Sequence, residues 1–164
     1  MPEKQTIKRA RKDAREGKAP STQAGEFVRE EIHHVREGKH GARSTKQAIA
    51  IGLSKARRSG VKLPPPKKGE TSERTRRSAK KAIARGRRQA KTSTTRSRAV
   101  RGALKREGRS AASRKSLARH ARSAAKRRTR SERSASARKA VRTKGPAARS
   151  TAARKAARTR ARKR

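Results

Sequence analysis

Between residues 44 and 60 apolar and polar positions alternate with the period of a helix. At about 100° per residue, Ile49, Leu53 and Ala56 share one face, with Ala48 and Gly52 on its flank. Ser44 is expected to cap the start, with Gln47 closing a capping box, and Gly60 supplies the left-handed residue that ends the helix. Upstream, Ser21 or Thr22 starts a second helix that Gly38 ends. Ala24, Phe27, Val28, Ile32 and Val35 fall within about 140° of its circumference, while Glu26, Arg29, Glu30, His33, Arg36 and Glu37 lie on the other side. Residues 3–16 predict a short polar helix stopped by Gly17 and Pro20, with Ile7, Ala10 and Ala14 on a weak apolar line.

Two short helices with matched stripes, joined by Lys39-His40-Gly41-Ala42-Arg43, most economically form an antiparallel pair. Val61 and Leu63 are expected to cover its open end before Pro64-Pro65-Pro66 terminates the unit. From residue 71 onward Ala, Arg, Lys, Ser and Thr recur without a strict period, broken at Gly86, Gly102, Gly108 and Gly145-Pro146. Their propensity favours helix, but like charges at i,i+4 oppose it. The expectation is therefore disorder in isolation, with helices around 72–91, 97–107, 110–130 and 132–142 on a polyanion. Ile83, Val100, Leu104, Leu117 and Val141 are too few to form a core there. The predicted fold class is mostly α: a polar N-terminal helix (1–20), a helical hairpin module (21–63), a Pro-rich linker (64–70) and a long low-complexity basic tail (71–164).

Charge sharpens this division. The 164 residues carry net charge +43 and one aromatic, Phe27. Residues 1–66 hold 16 Lys/Arg against 7 Asp/Glu, and residues 67–164 hold 38 against 4. Such a tail condenses on a polyanion, with nucleic acid the default partner and affinity that falls steeply with salt. Arginine and lysine contact phosphates without reading bases, and a tail without Phe, Tyr or Trp lacks stacking platforms, so duplex DNA is preferred over RNA. The candidate nucleic-acid-binding residues are Arg76, Arg77, Lys80, Lys81, Arg85, Arg87, Arg88, Arg114, Lys115, Arg119, Lys126, Arg127, Arg128, Arg154, Lys155 and Arg158.

The chain has no cysteine, hence no disulfide framework and no thiolate metal site, which suits a reducing compartment. No apolar run approaches the roughly 18 residues of a spanning helix, and no apolar core of a signal peptide is present. A cytoplasmic, nucleoid location without membrane association is expected.

Other motifs carry less. Arg85-Gly86-Arg87-Arg88 has the arginine-glycine-arginine form that lies in narrow AT-rich minor grooves, without the usual following proline. The hairpin could be a helix-turn-helix in which Gln47 reads adenine and Arg58 holds a phosphate, although the Gly38 to Arg43 connection is long for one. Gln47, Ile51, Ser54, Lys55 and Arg58 in any case form a contact face for DNA or for a protein. Free amides near Ser44 and Thr45, flanked by Arg43 and Lys46, could hold one phosphate, though capping suffices to explain them. Gly38-Lys39-His40-Gly41 lacks the spacing of a phosphate-binding P-loop. His33, His34 and His40 suggest a metal, but no carboxylate pattern completes a site, and Glu30–His34 and Glu37–His33 pairs at i,i+4 account for two of them. The acidic residues are expected on exposed helix faces. No nucleophile and base are recognisably spaced, so neither an enzyme nor a cofactor is expected.

Residues 8–66, and above all Ser44 to Arg57 in the form SxKQAIAIxLSxAR, closely resemble a bacterial family of small basic proteins catalogued as a domain of unknown function. The resemblance implies no activity; some members are labelled DNA-binding. The tail is similar in composition alone to linker-histone and protamine tails. The expected function is that of a non-enzymatic, nucleoid-associated protein that binds DNA largely irrespective of sequence by neutralising phosphates. The alternatives are a protein-interaction or self-association module at 22–63 anchored to nucleic acid by the tail, and a protein associated with ribosomes or structured RNA.

Overall fold

The computed structural model describes residues 2–88 and 93–162, and the side chains of these except residues 143 and 144. Its helices are α1 (Lys4–Arg15), α2 (Pro20–Arg36), α3 (Thr45–Arg58), α4 (Glu73–Arg87), α5 (Thr94–Lys105), a 3-10 turn (Ser110–Ala112), α6 (Arg114–Lys126) and α7 (Arg130–Ala161). No strand occurs among the described residues. They form two compact units, one running to His120 and one from Ala121 onward, and the boundary falls inside α6. The expectation of a mostly α chain holds.

Hydroxyl side chains set most helix starts. Ser44, Ser72, Ser93 and Thr129 each accept the backbone N–H three residues on, as does Ser113 from Ser116 at 3.2 Å; each satisfies a donor the helix leaves free. These caps place α5 and α7 earlier than the expected 97 and 132, and split 110–130 into a 3-10 turn and α6. The end of the expected 72–91 helix lies outside the described residues. The Ser44 cap differs in detail from the predicted box. Gln47 N–H donates to Ser44 Oγ at 3.2 Å, but Gln47 Oε1 accepts from Arg43 N–H at 2.8 Å, one residue before the cap. α2 starts at Pro20 and not at Ser21 or Thr22; proline at the first position lacks only an N–H that would be unsatisfied there.

α2 and α3 pack through small residues. The buried face of α3 is Thr45, Ala48, Gly52, Ala56 and Arg57, while Ile49 and Leu53, expected at its centre, are half-buried at its edge. A Cβ on Gly52 would stand 2.7 Å from Val28 Cα and 2.9 Å from Val28 N, so the backbones meet where only glycine fits. One end of the seam packs Ala10, Ala24, Phe27 and Ala56, with Ile7, Leu53, Val61 and Leu63 against them. The other packs Ile32, Val35, Ala42, Ala48, Ala111 and Ala112, joined by Val28 and Leu117. Residues early in α2 thus meet residues late in α3, the expected antiparallel pairing, with Val61 and Leu63 at the expected end. α1 packs on α2 through Ala10, while Ala14 stays exposed.

The compact unit continues past the boundary expected at residue 63. α4 lies on α3 through buried Ala79 and Ala82. The last turn of α5 and the segment after it clamp the α2–α3 connection: Gly41 N–H donates to Leu104 O at 2.8 Å and Ala42 N–H to Gly108 O at 3.0 Å. A Cβ on Gly41 would collide with the Glu107 carbonyl. Arg36 Nε donates to Ala112 O at 2.9 Å, and Thr45 Oγ1 to Ala111 O at 2.7 Å. Alanines make these contacts, and a count of large apolar side chains overlooks them.

Glycine replacements separate close approach from propensity. Gly52→Ala should lower stability by a net ~1–2 kcal/mol, because overpacking against backbone outweighs the helix gain. Gly25, in α2 with nothing within 4 Å of a built Cβ, should instead gain about 0.5–1 kcal/mol on replacement by alanine. Urea midpoints compare the two, and a Gly52→Ala chain as stable as the parent would contradict the tight seam.

Candidate nucleic-acid interface

α4 is amphipathic in an unusual sense: its inner side is alanine and its outer side is cationic. Ala79 and Ala82 are buried, and Ile83 and Gly86 half-buried, toward α3. Arg77, Lys80, Lys81, Arg85 and Arg87 are exposed, and so is Arg88 at the C-cap. Arg76 is half-buried and paired with Glu73 at 3.3 Å. On α6, Arg114, Lys115 and Arg119 are exposed while Leu117 packs on the α2 end of the core. The remaining candidates lie in the other unit: Lys126, Arg127 and Arg128 around the end of α6, and Arg154, Lys155 and Arg158 on α7, all exposed. Among the described residues, none of these candidates except Arg76 has a carboxylate within ion-pair distance. Among its described side chains α7 buries none, and it breaks at Gly145 (φ 65°, ψ 172°) before Pro146. α5 likewise buries nothing, and its exposed Arg96, Arg98, Arg101 and Lys105 extend the cationic surface beyond the residues singled out from sequence.

The contact face expected on α3 is only partly available. Gln47 is engaged by Arg43, Ile51 and Ser54 are half-buried, and Arg58 is exposed with its Nε on Ser54 O at 3.3 Å. Lys55 is withdrawn from it: its side chain is 15% exposed, with Nζ 2.6 Å from Glu31 Oε2 and 3.3 Å from Glu30 Oε1. The helix start at Ser44 is not an open phosphate seat either, since Thr45 is buried against Ala111. Arg85 to Arg88 form the last turn and C-cap of α4, not an extended minor-groove strand. Arg57 is buried, with Nη2 on Pro64 O at 3.2 Å, and burial lowers its pKa. Partial desolvation and then the charge of Arg85 lower that of Arg58, which stays exposed.

The acidic residues do not all occupy exposed faces. Glu30 and Glu31 are buried, and Glu30 Oε2 accepts Glu3 N–H at 3.1 Å. The expected Glu30–His34 pair gives way to a longer-range one, with His34 Nε2 2.9 Å from Glu3 Oε1, and His40 Nε2 lies 3.2 Å from Glu31 Oε1. Hydrogen bonding from His34 and then Lys39 holds the Glu3 carboxyl below its ordinary value. Sequence reasoning missed Glu31, yet a signal was there: it stands four residues after Phe27 and four before Val35, which with it are the largest fully buried side chains.

Residues 4–68 match the model of a family of unknown function (DUF6496). The match covers α1 to α3 and the proline segment, in agreement with a resemblance to an uncharacterised family, and stops short of α4. No curated protein and no solved structure matches the chain. No helix among the described residues is long and apolar enough to cross a membrane.

Removing Lys55 tests the buried network. Lys55→Ala leaves two buried carboxylates without their ammonium partner, a loss expected to cost about 3–5 kcal/mol. Chemical denaturation should show it as a large midpoint shift, whereas Lys46→Ala on the exposed side of α3 should change little.

Proposed function

We propose that this is a non-enzymatic protein that binds duplex DNA largely irrespective of sequence and acts at the nucleoid, in the cytoplasm. The observation that carries this reading is the exposed cationic surface of α4 and α6, on which only Arg76 faces a carboxylate, that of Glu73, and which has no Phe, Tyr or Trp for stacking. Phosphates recruit such a surface by displacing counterions, and nothing in it discriminates bases. The rigid part of the interface is the α4 face, which the α3 seam holds in place. The tail is a second, adaptable part. In free solution the repulsion of its like charges opposes helix, and α7, none of whose described side chains is buried, has little of the packing that stabilises most protein helices. On DNA the phosphates remove the repulsion and the tail becomes helical.

The alternative of a protein-interaction module at 22–63 loses ground because Lys55 and Gln47 are already engaged within the fold. RNA offers the same phosphate chemistry, so competition by a structured RNA forms an arm of the test.

The full chain should bind a random duplex, followed by fluorescence anisotropy, with log Kobs falling linearly against log salt. Replacing Arg77, Lys80, Lys81 and Arg85 together by alanine should weaken binding equally on unrelated sequences and reduce the slope by about one for each phosphate that is no longer neutralised. Far-UV circular dichroism should show added helix when duplex is mixed in. A salt-independent affinity would defeat the electrostatic reading, and displacement by structured RNA but not by duplex would transfer the function to RNA.

A further inference from the structure

The pairing of His40 with Glu31 presents a chemical problem. His40 Nδ1 stands 3.0 Å from Gly41 O, and since a carbonyl only accepts, Nδ1 carries the hydrogen. In the neutral ring, Nε2 then points a lone pair at Glu31 Oε1 from 3.2 Å. Two acceptors would face each other at a carboxylate whose side chain has no solvent exposure, so either a second proton on His40 or a metal cation stands between them.

We propose that Glu31, His34 and His40 bind a divalent transition-metal ion of the Zn2+ class. One ring nitrogen of each histidine and a Glu31 oxygen lie within 4.8 Å of one another. Two ligands at ~2.0–2.2 Å on a tetrahedral ion stand roughly 3.4 Å apart, close to the observed His40–Glu31 spacing. A second proton on His40 would also fill that gap, but it would not require a third donor. Here His34 converges on the same point, its ring centroid 6.1 Å from that of His40 and nearly perpendicular to it.

The surroundings are those of a metal site. A ligating histidine almost always donates its outer N–H to a carboxylate or backbone carbonyl, which fixes the ring. Both do so here, His34 Nε2 to Glu3 Oε1 at 2.9 Å and His40 Nδ1 to Gly41 O. Lys55 Nζ occupies Glu31 Oε2 at 2.6 Å, leaving Oε1 as the ligand. Two imidazoles and one carboxylate without thiolate suit Zn2+, with a water completing four-coordination. The ion would join α2 to the 38–43 connection, whose amides hold the segment leading into α6.

The test uses the chelator-stripped full chain titrated calorimetrically with Zn2+ alone, and with Co2+ followed by visible absorption. One equivalent should bind, Co2+ should give the intense absorption of a tetrahedral site, and Zn2+ should raise the melting temperature. His34→Ala and His40→Ala should each weaken binding at least about tenfold and lose the Co2+ spectrum, while His33→Ala, a neighbouring exposed histidine, should bind normally. Circular dichroism of each variant establishes folding, and His40→Gln serves where alanine fails. Absence of saturable Zn2+ binding, or affinity unchanged in folded His34 and His40 variants, overturns the site.

Discussion

The close approach of α2 and α3 at Gly52 is the constraint on which the rest of the fold depends. With no side chain at that point, the α3 backbone lies against Val28, and the small residues Ala48 and Ala56 extend the contact in both directions. Only at that separation does Lys55 reach both Glu30 and Glu31. Buried ions are costly to desolvate and contribute little net stability when paired, but they punish any register that leaves one unpaired. The seam and the ion cluster thus select the same alignment by different physics, one steric and one electrostatic.

That cluster also bears on the outer surface. Each of the seven acidic residues before residue 67 is ion-paired within the unit: Glu3, Asp13, Glu16, Glu26, Glu30, Glu31 and Glu37. Pairs such as Lys18 with Asp13 and Glu16 are exposed and contribute little to stability. They nevertheless keep negative charge near α1 and α2, away from the outer face of α4. The fold segregates a scarce charge of one sign from an abundant charge of the other.

The limits of α1 and α3, the end of α2, the antiparallel pairing and the uneven charge were legible in sequence, because capping and helical periodicity are local. The buried face of α3 was not. Hydrophobicity points to Ile49 and Leu53, whereas a seam of minimum separation selects Gly52 and the alanines. The same bias discarded Ala79, Ala82, Ala111 and Ala112 as tail, although they complete the core. Thr45 with Ala111 and Arg36 with Ala112 are bonded across most of the unit, and such contacts have no local signature. Glu31 sat within the apolar stripe at i,i+4 spacing, yet its charge argued for solvent, and only its partners on α3 and the connection explain its burial.

The two halves of the basic region illustrate what packing adds to charge. Residues 67–120 hold 20 Lys/Arg against 3 acidic residues, and residues 121–164 hold 18 against 1, so composition hardly separates them. Their backbones do differ. α4 is anchored by alanines on α3, and its cations are carried on a surface formed before any polyanion arrives. None of the described side chains of α7 is buried, so on the proposed reading its order comes only with binding, at a conformational cost of about 1–2 kcal/mol for each backbone residue fixed. Equal numbers of phosphate contacts would then yield less net affinity from α7 than from α4, because preorganisation reduces the entropy lost on association. The seam at Gly52, which offers no phosphate contact of its own, would influence binding by deciding which cations are held in place beforehand.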